Sequence, residues 1–136
     1  MTRKISDDQS DTGQYIPGRC NIGKKEIAMR RDAAITSTLL TVILMILFQM
    51  YPVNRLWRLT IFIPAVSAVI GFIQWYFRFC VAFGLKGVFN FGPLGKTFTV
   101  ELDENIRKDR STAVRRIIIG TLIAATITII YFLLPV

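Results

Sequence analysis

The sequence predicts an all-α membrane protein: three transmembrane helices with a short cytoplasmic β-hairpin between the second and third. Three observations carry this. The chain holds three long runs without a charged residue, at 33–51, 59–77 and 117–136. Its Lys and Arg residues gather in the segments before the first run and between the second and third. Between those last two runs lie two alternating arms, VFNF and KTFTVEL, around a GPLG turn.

Each run is matched to the bilayer. About 20 apolar residues, rising about 1.5 Å each, cross a hydrocarbon core of roughly 30 Å. No helix of a small water-soluble domain needs nineteen uncharged residues in succession, as at 59–77, followed at once by Arg78. With 136 residues and 52% hydrophobic content, the chain is too apolar for an ordinary soluble domain and too short for several. It reads as one membrane domain, 19–136, after a disordered cytoplasmic tail, 1–18, in which Asp7, Asp8 and Asp11 are free to meet a basic partner or the chain's own basic loops.

The net charge of +8 is a membrane signal. Lys24, Lys25, Arg30 and Arg31 form a collar at headgroup level, suited to anionic lipids, with a protein-docking surface as the sharper alternative. Fifteen Lys and Arg residues flank the spans on one side, against Arg55 and Arg58 on the other. The positive-inside rule then puts the N-terminus and the 78–116 loop in the cytoplasm and the C-terminus outside. No recognition module accompanies the charges, so nucleic acid is not an expected partner.

The first span, 33–51, sets Ala34, Thr38, Thr41 and Met45 on one face and Leu40, Ile43, Leu47 and Met50 elsewhere. In lipid the small-residue face is the one that packs. Tyr51, Pro52 and Asn54 turn the chain, and Trp57 belongs to the aromatic belt of the second span, about 57–77. That span carries Pro64, expected to kink it, and a small and polar stripe of Pro64, Ser67, Gly71, Gln74 and Arg78 along one side. The plain reading gives Gln74 an interhelical hydrogen bond and Arg78 a snorkelling position; the sharper one makes them a ligand contact. In the third span, about 117–135, Gly120, Ala124 and Thr128 make the packing face. The charged stretch ELDENIRKDRSTAVRR before it reads as helical.

NFGPLGKT ends like a phosphate-binding loop, but Asn90 stands where the first glycine belongs and the following residues are strand-like. Two cysteines and no histidine leave little for metal or thiol chemistry. Cys20 and Cys80 fall on the same, reducing side. They read as packed cysteines or as part of an intersubunit metal or redox site completed by a residue such as Glu26. No cofactor is expected. The best candidate site is a cytoplasmic-face cluster of Cys20, Asn21, Glu26, Arg78, Cys80 and Asn90, beside a Phe/Gly segment whose glycines permit close backbone approach.

The segments CNIGKKEI, WRLTIFIPAVSAVIGF and FRFCVAFGLKGVFNFGPLG together resemble a group of small, uncharacterised bacterial membrane proteins with a Cys-Asn-Ile-Gly opening and a Phe-Cys, Gly-Val-Phe-Asn-Phe-Gly segment. The resemblance covers roughly residues 19–134 and implies a bacterial cytoplasmic membrane, with no activity or site residue attached. Three roles fit the residues. The first is a non-catalytic accessory, assembly or scaffold component docking on a membrane-protein partner or on itself. The second is a small oligomeric transporter or channel lined by Thr38, Thr41, Ser67, Gln74 and Thr128. The third is a metal or redox protein built on Cys20 and Cys80. The first accounts best for the lack of a catalytic constellation.

Overall fold

The computed structural model describes residues 14–135; the acidic tail residues Asp7, Asp8 and Asp11 lie outside them. Helix α1 spans Lys24–Met50, a 3-10 helix at Arg55–Ile61 runs directly into α2 at Phe62–Phe77, and α4 spans Asp103–Leu133. All three units are long and apolar enough to cross a membrane. Between α2 and α4 lie a short helix α3, Val81–Lys86, and a two-stranded antiparallel hairpin, β1 (Val88–Phe89) and β2 (Phe98–Thr99). The hairpin, α3 and the residues preceding α1 form a cap at one end of the bundle.

The charged stretch before the third span is continuous with it. At 31 residues α4 is about 46 Å long, which carries roughly its first four turns, up to the apolar run from Ile117, beyond the hydrocarbon. Asp103 and Glu104 occupy its first turn, where their charge offsets the helix dipole. Pro64 is the third residue of α2, within its first turn and directly after the 3-10 helix, where the amide hydrogen it lacks would have no carbonyl partner inside α2.

Helix α2 is the middle of the bundle, with α1 on one side and α4 on the other. The small faces do the packing: Ala34 and Thr41 of α1, Pro64, Ala65, Ala68 and Gly71 of α2, and Gly120, Ala124 and Thr128 of α4 are buried. Leu40, Ile43, Leu47 and Met50 are exposed to the lipid position, as the periodicity predicts. Ile61, Ala65, Ala124 and Tyr131 form the apolar core. Ser67 departs from the expected packing stripe. It is exposed, and its hydroxyl donates to the Ile63 carbonyl of its own helix at 3.1 Å. Pro64, Gly71 and Gln74 of that stripe are buried, with Ala65 and Ala68 completing the inward face.

Gly71 sets the close approach of α1 and α2. A Cβ built there would stand 3.0 Å from the Ala34 Cβ and 3.1 Å from the Ala34 Cα, so any side chain must separate the two helices. Gly71→Val is expected to cost about 1–3 kcal/mol, read as a lowered thermal midpoint in mild detergent; an unchanged midpoint would contradict this packing. Gly120 similarly receives Ile70, whose Cγ1 lies 2.8 Å from a built Cβ.

The hairpin register pairs Val88 with Thr99 and Phe89 with Phe98. Phe89 stacks on Phe98 at 5.8 Å between centroids, and on the other side receives the Tyr15 ring at 4.8 Å. The strands are shorter than the alternation suggests because the Asn90 side chain accepts from the Gly92 N–H at 2.9 Å and draws the chain into a turn. Helix α3 was not legible in the Phe/Gly run; it ends at Gly87, whose φ of +70° suits glycine.

Residues 14–18, read from sequence as the end of a mobile tail, are instead held on α4. Tyr15 donates its hydroxyl to Asp109 Oδ2 and the Gly18 N–H donates to Asp109 Oδ1, both at 2.6 Å. Thr112 donates to the Gly18 carbonyl at 3.0 Å. Burial, then the hydrogen bond and negative charge of Asp109, push the Tyr15 phenol far above its ordinary value near 10.0. The sign follows from linkage: the folded state holds this proton more tightly, so the docking is intact below about pH 10 and is lost as pH rises toward the folded value. Alkaline titration of phenolate absorbance is expected to show a late-titrating tyrosine that disappears in Tyr15→Phe.

Candidate functional site at the cap

The six predicted site residues lie around one junction, where the chain passes into α1. Residues 21–23 run extended beside the end of β1. Ile22 forms a parallel bridge with Asn90, the Asn90 N–H donates to the Asn21 carbonyl at 3.0 Å, and the Gly23 N–H donates to the Asn90 carbonyl at 2.8 Å. Gly23 is required there, since a Cβ would come within 2.9 Å of the Phe91 Cα. The start of the first span is thereby added to the hairpin as a third strand fragment.

Asn21 is fully buried, and its side chain reads the backbone of Cys80 as a strand would. Its Oδ1 accepts from the Cys80 N–H at 2.7 Å and its Nδ2 donates to the Cys80 carbonyl at 3.0 Å. Asn90, also fully buried, closes the other half. Its Nδ2 donates to Glu26 Oε1 at 3.2 Å and to the Pro93 carbonyl at 2.9 Å. One asparagine thus ties the opening of α1 to the end of α2, and the other ties α1 to the hairpin.

Arg78 takes part through its backbone. Among the described residues it is the one non-glycine with positive φ, at 53°. It closes α2 in the left-handed conformation with its N–H on the Gln74 carbonyl, and its own carbonyl accepts from the Asn21 N–H at 3.3 Å. A left-handed non-glycine costs about 1–2 kcal/mol, offset by the buried bonds on either side. The Arg78 side chain is exposed. Gln74 corrects the sequence reading. Its Oε1 accepts from the Val81 N–H at 3.2 Å and so caps the turn into α3, with no bond across to another span.

Glu26 is 3% exposed and has one oxygen on Asn90. Its Oε2 stands 3.8 Å from Arg30 Nη2, close enough for an ion pair and too far for a hydrogen bond. The same Arg30 nitrogen donates to Cys80 Sγ at 3.2 Å. Arg30, read as a lipid-facing collar residue, therefore turns inward between a buried carboxylate and a buried thiol. Cys20 is half-buried and donates to the Ile22 carbonyl at 3.8 Å. Burial pushes its thiol up, with the Ile22 backbone and the Arg78 charge opposing. Both cysteines are free thiols. Among the described residues no group of three or more His, Cys, Asp or Glu side chains is arranged to hold a metal ion, and a cation at Cys80 would meet the Arg30 guanidinium.

The hydroxyl residues named for a transport path each bond within their own helix. Thr38, Thr41, Ser67 and Thr128 donate to the carbonyl four residues earlier in their own helices, at 2.7–3.1 Å.

Two sites escaped the sequence reading. Asp109 is fully buried and organises the cap from α4. Its signal was present: stepping back from Gly120 along the same face reaches Ala113 and then Asp109. At the opposite end of the bundle, Arg58 is 1% exposed. It donates to the Leu134 carbonyl and to Gln49 Oε1, both at 3.0 Å, and its guanidinium lies 5.3 Å from the Tyr131 ring centroid. The Tyr131 hydroxyl donates to the Met45 carbonyl at 2.7 Å.

The fold and these two polar junctions define a three-span helical membrane protein with a hydrogen-bonded extramembrane cap. Comparison with known proteins finds no matching family model, curated protein or solved structure.

Proposed function

We propose that the chain is a non-catalytic accessory, assembly or scaffold component of a larger membrane complex. In this reading it sits in a cytoplasmic membrane with its cap on the cytoplasmic side, where fifteen of its Lys and Arg residues lie. The observation that carries the reading is the exposed apolar surface of the cap. Leu94 in the hairpin turn and Leu102 at the start of α4 are 53% and 64% exposed, outside the three long apolar runs. The buried side chains of Asn21, Asn90 and Asp109 are all engaged in holding the cap together. A fixed mount presenting apolar side chains suits docking, because a preordered surface loses little conformational freedom on binding.

Leu94→Glu with Leu102→Glu tests this, since neither side chain packs in the core. Extracted in mild detergent, the native chain is expected to migrate as a complex of defined stoichiometry, and the double variant as the lone folded chain. A native chain that is itself a lone monomer, or a variant that keeps its complex, would overturn the proposal.

A further inference from the structure

The side of α4 turned away from the bundle carries a second feature. Arg107, Ser111, Val114 and Ile118 follow one another at i, i+4, i+7 and i+11, a single line up the helix. Arg110 and Arg115 flank that line on either shoulder. Together these six residues line a shallow, open depression on this one face of the helix. The buried face of α4, marked by Asp109, Ala113, Gly120 and Ala124, is on the opposite side.

The chemistry changes along the depression in step with the membrane. Its outer part has three guanidinium groups about a small hydroxyl, and its inner part is Val114 and Ile118, both exposed. Ile117 begins the apolar run, so Arg115 is about 3 Å of helix rise and Arg110 about 10 Å from the hydrocarbon edge, spanning the headgroup layer. Arg107 and Arg115 have no carboxylate partner among the described residues, and Arg110 makes one long contact, 3.4 Å to the Leu85 carbonyl. The nearby carboxylates are engaged elsewhere, Glu104 with Lys108 at 3.2 Å and Asp109 with the Tyr15–Gly18 turn.

We propose that this groove is a binding site for one anionic glycerophospholipid. Its phosphate is held between Arg110 and Arg115 over Ser111, with Arg107 reaching the outer part of the headgroup and an acyl chain lying along Val114 and Ile118. Guanidinium groups match phosphate oxygens in planar pairs of hydrogen bonds. A free phosphate has no use for the apolar floor, which argues for the lipid. Ser111 is what makes the groove: a larger residue there fills the space between the arginines.

Native mass spectrometry of the detergent-solubilised chain, titrated with phosphatidylglycerol or phosphatidylcholine, tests the site. One-to-one retention of phosphatidylglycerol is expected. Arg110→Gln with Arg115→Gln, which remove direct charge-assisted contacts to the phosphate, should lower that affinity roughly thirtyfold, while a control pair outside the groove, Arg19→Gln with Lys96→Gln, changes it by about threefold or less. Ser111→Leu, which leaves the charge unchanged, should also weaken it. Equal losses in the two charge pairs would reduce the groove to a diffuse cationic collar and overturn the proposal. So would equal retention of phosphatidylcholine, full retention by Ser111→Leu, or displacement of the lipid by excess inorganic phosphate.

Discussion

Asn21→Ala is expected to destabilise the protein more than any other single side-chain truncation in the cap, by about 3–5 kcal/mol. The buried Cys80 N–H and C=O both lose their partner in the variant. Each unsatisfied backbone group costs about 1–3 kcal/mol, and the space left by the amide adds to this. The consequence is structural as well as energetic, because the link of this residue to the end of α2 is then the single bond from its N–H to the Arg78 carbonyl at 3.3 Å. The variant should lose the attachment of the cap to α2 while the three helices remain.

Asn21→Asp separates hydrogen bonding from packing. A carboxylate keeps the acceptor facing the Cys80 N–H but sets a second oxygen against the Cys80 carbonyl, whereas a protonated carboxyl can donate to it. The pKa of the introduced group should therefore be raised in the folded state above about 3.9. A raised folded pKa means stability present at low pH and lost as pH rises through the folded value. Thermal midpoints in detergent should thus fall for Asn21→Ala at every pH, and fall for Asn21→Asp mainly at neutral pH.

Arg58→Met is expected to cost about 2–4 kcal/mol at the other end of the bundle. It retains the aliphatic stem but removes two charge-assisted hydrogen bonds, to Gln49 Oε1 and to the Leu134 carbonyl, and the cation beside the Tyr131 ring. Arg58→Lys should give an intermediate loss, since a single ammonium cannot reproduce the planar fork that reaches two acceptors at once. The two positions are at opposite ends of the helices and share no partner, so their effects should add. Strong coupling between them would mean that the ends of the bundle are not independent clamps.

The spans were legible because hydrocarbon imposes a length and forbids charge over it, a constraint no tertiary context overrides. The packing faces were legible at Ala34, Gly71, Gly120 and Ala124, where close helix approach demands small residues. The bonds of Ser67 and Gln74 were not legible, since spacing places a polar residue on a face but does not name its hydrogen-bond partner. Ser67 turns to Ile63 and Gln74 to Val81.

The cap divides in the same way. Charge asymmetry put Cys20, Asn21, Glu26, Arg78, Cys80 and Asn90 on one membrane face, and the glycines beside them signalled close approach. Their bonds were invisible, since Asn21–Cys80 and Glu26–Asn90 are separated by 59 and 64 residues. Arg58 and Asp109 were missed because a charged residue flanking a span ordinarily faces water or headgroups, and each is buried here by partners that only the folded chain supplies. Tyr15 and Gly18 lay in a segment polar enough to read as tail; two hydrogen bonds to one buried carboxylate order it.

Three crossings of a bilayer, with the cap on one face and the Arg58 junction on the other, underlie every reading above. The most direct test is labelling of single-cysteine variants by a membrane-impermeant thiol reagent in sealed, oriented vesicles, in a background with Cys20 and Cys80 replaced by alanine. Lys25→Cys and Lys96→Cys are expected to react from the same side, and Val53→Cys and Leu134→Cys only from the opposite side. Reaction of Lys96→Cys and Val53→Cys from one side, or of Lys25→Cys and Leu134→Cys from one side, would contradict the account.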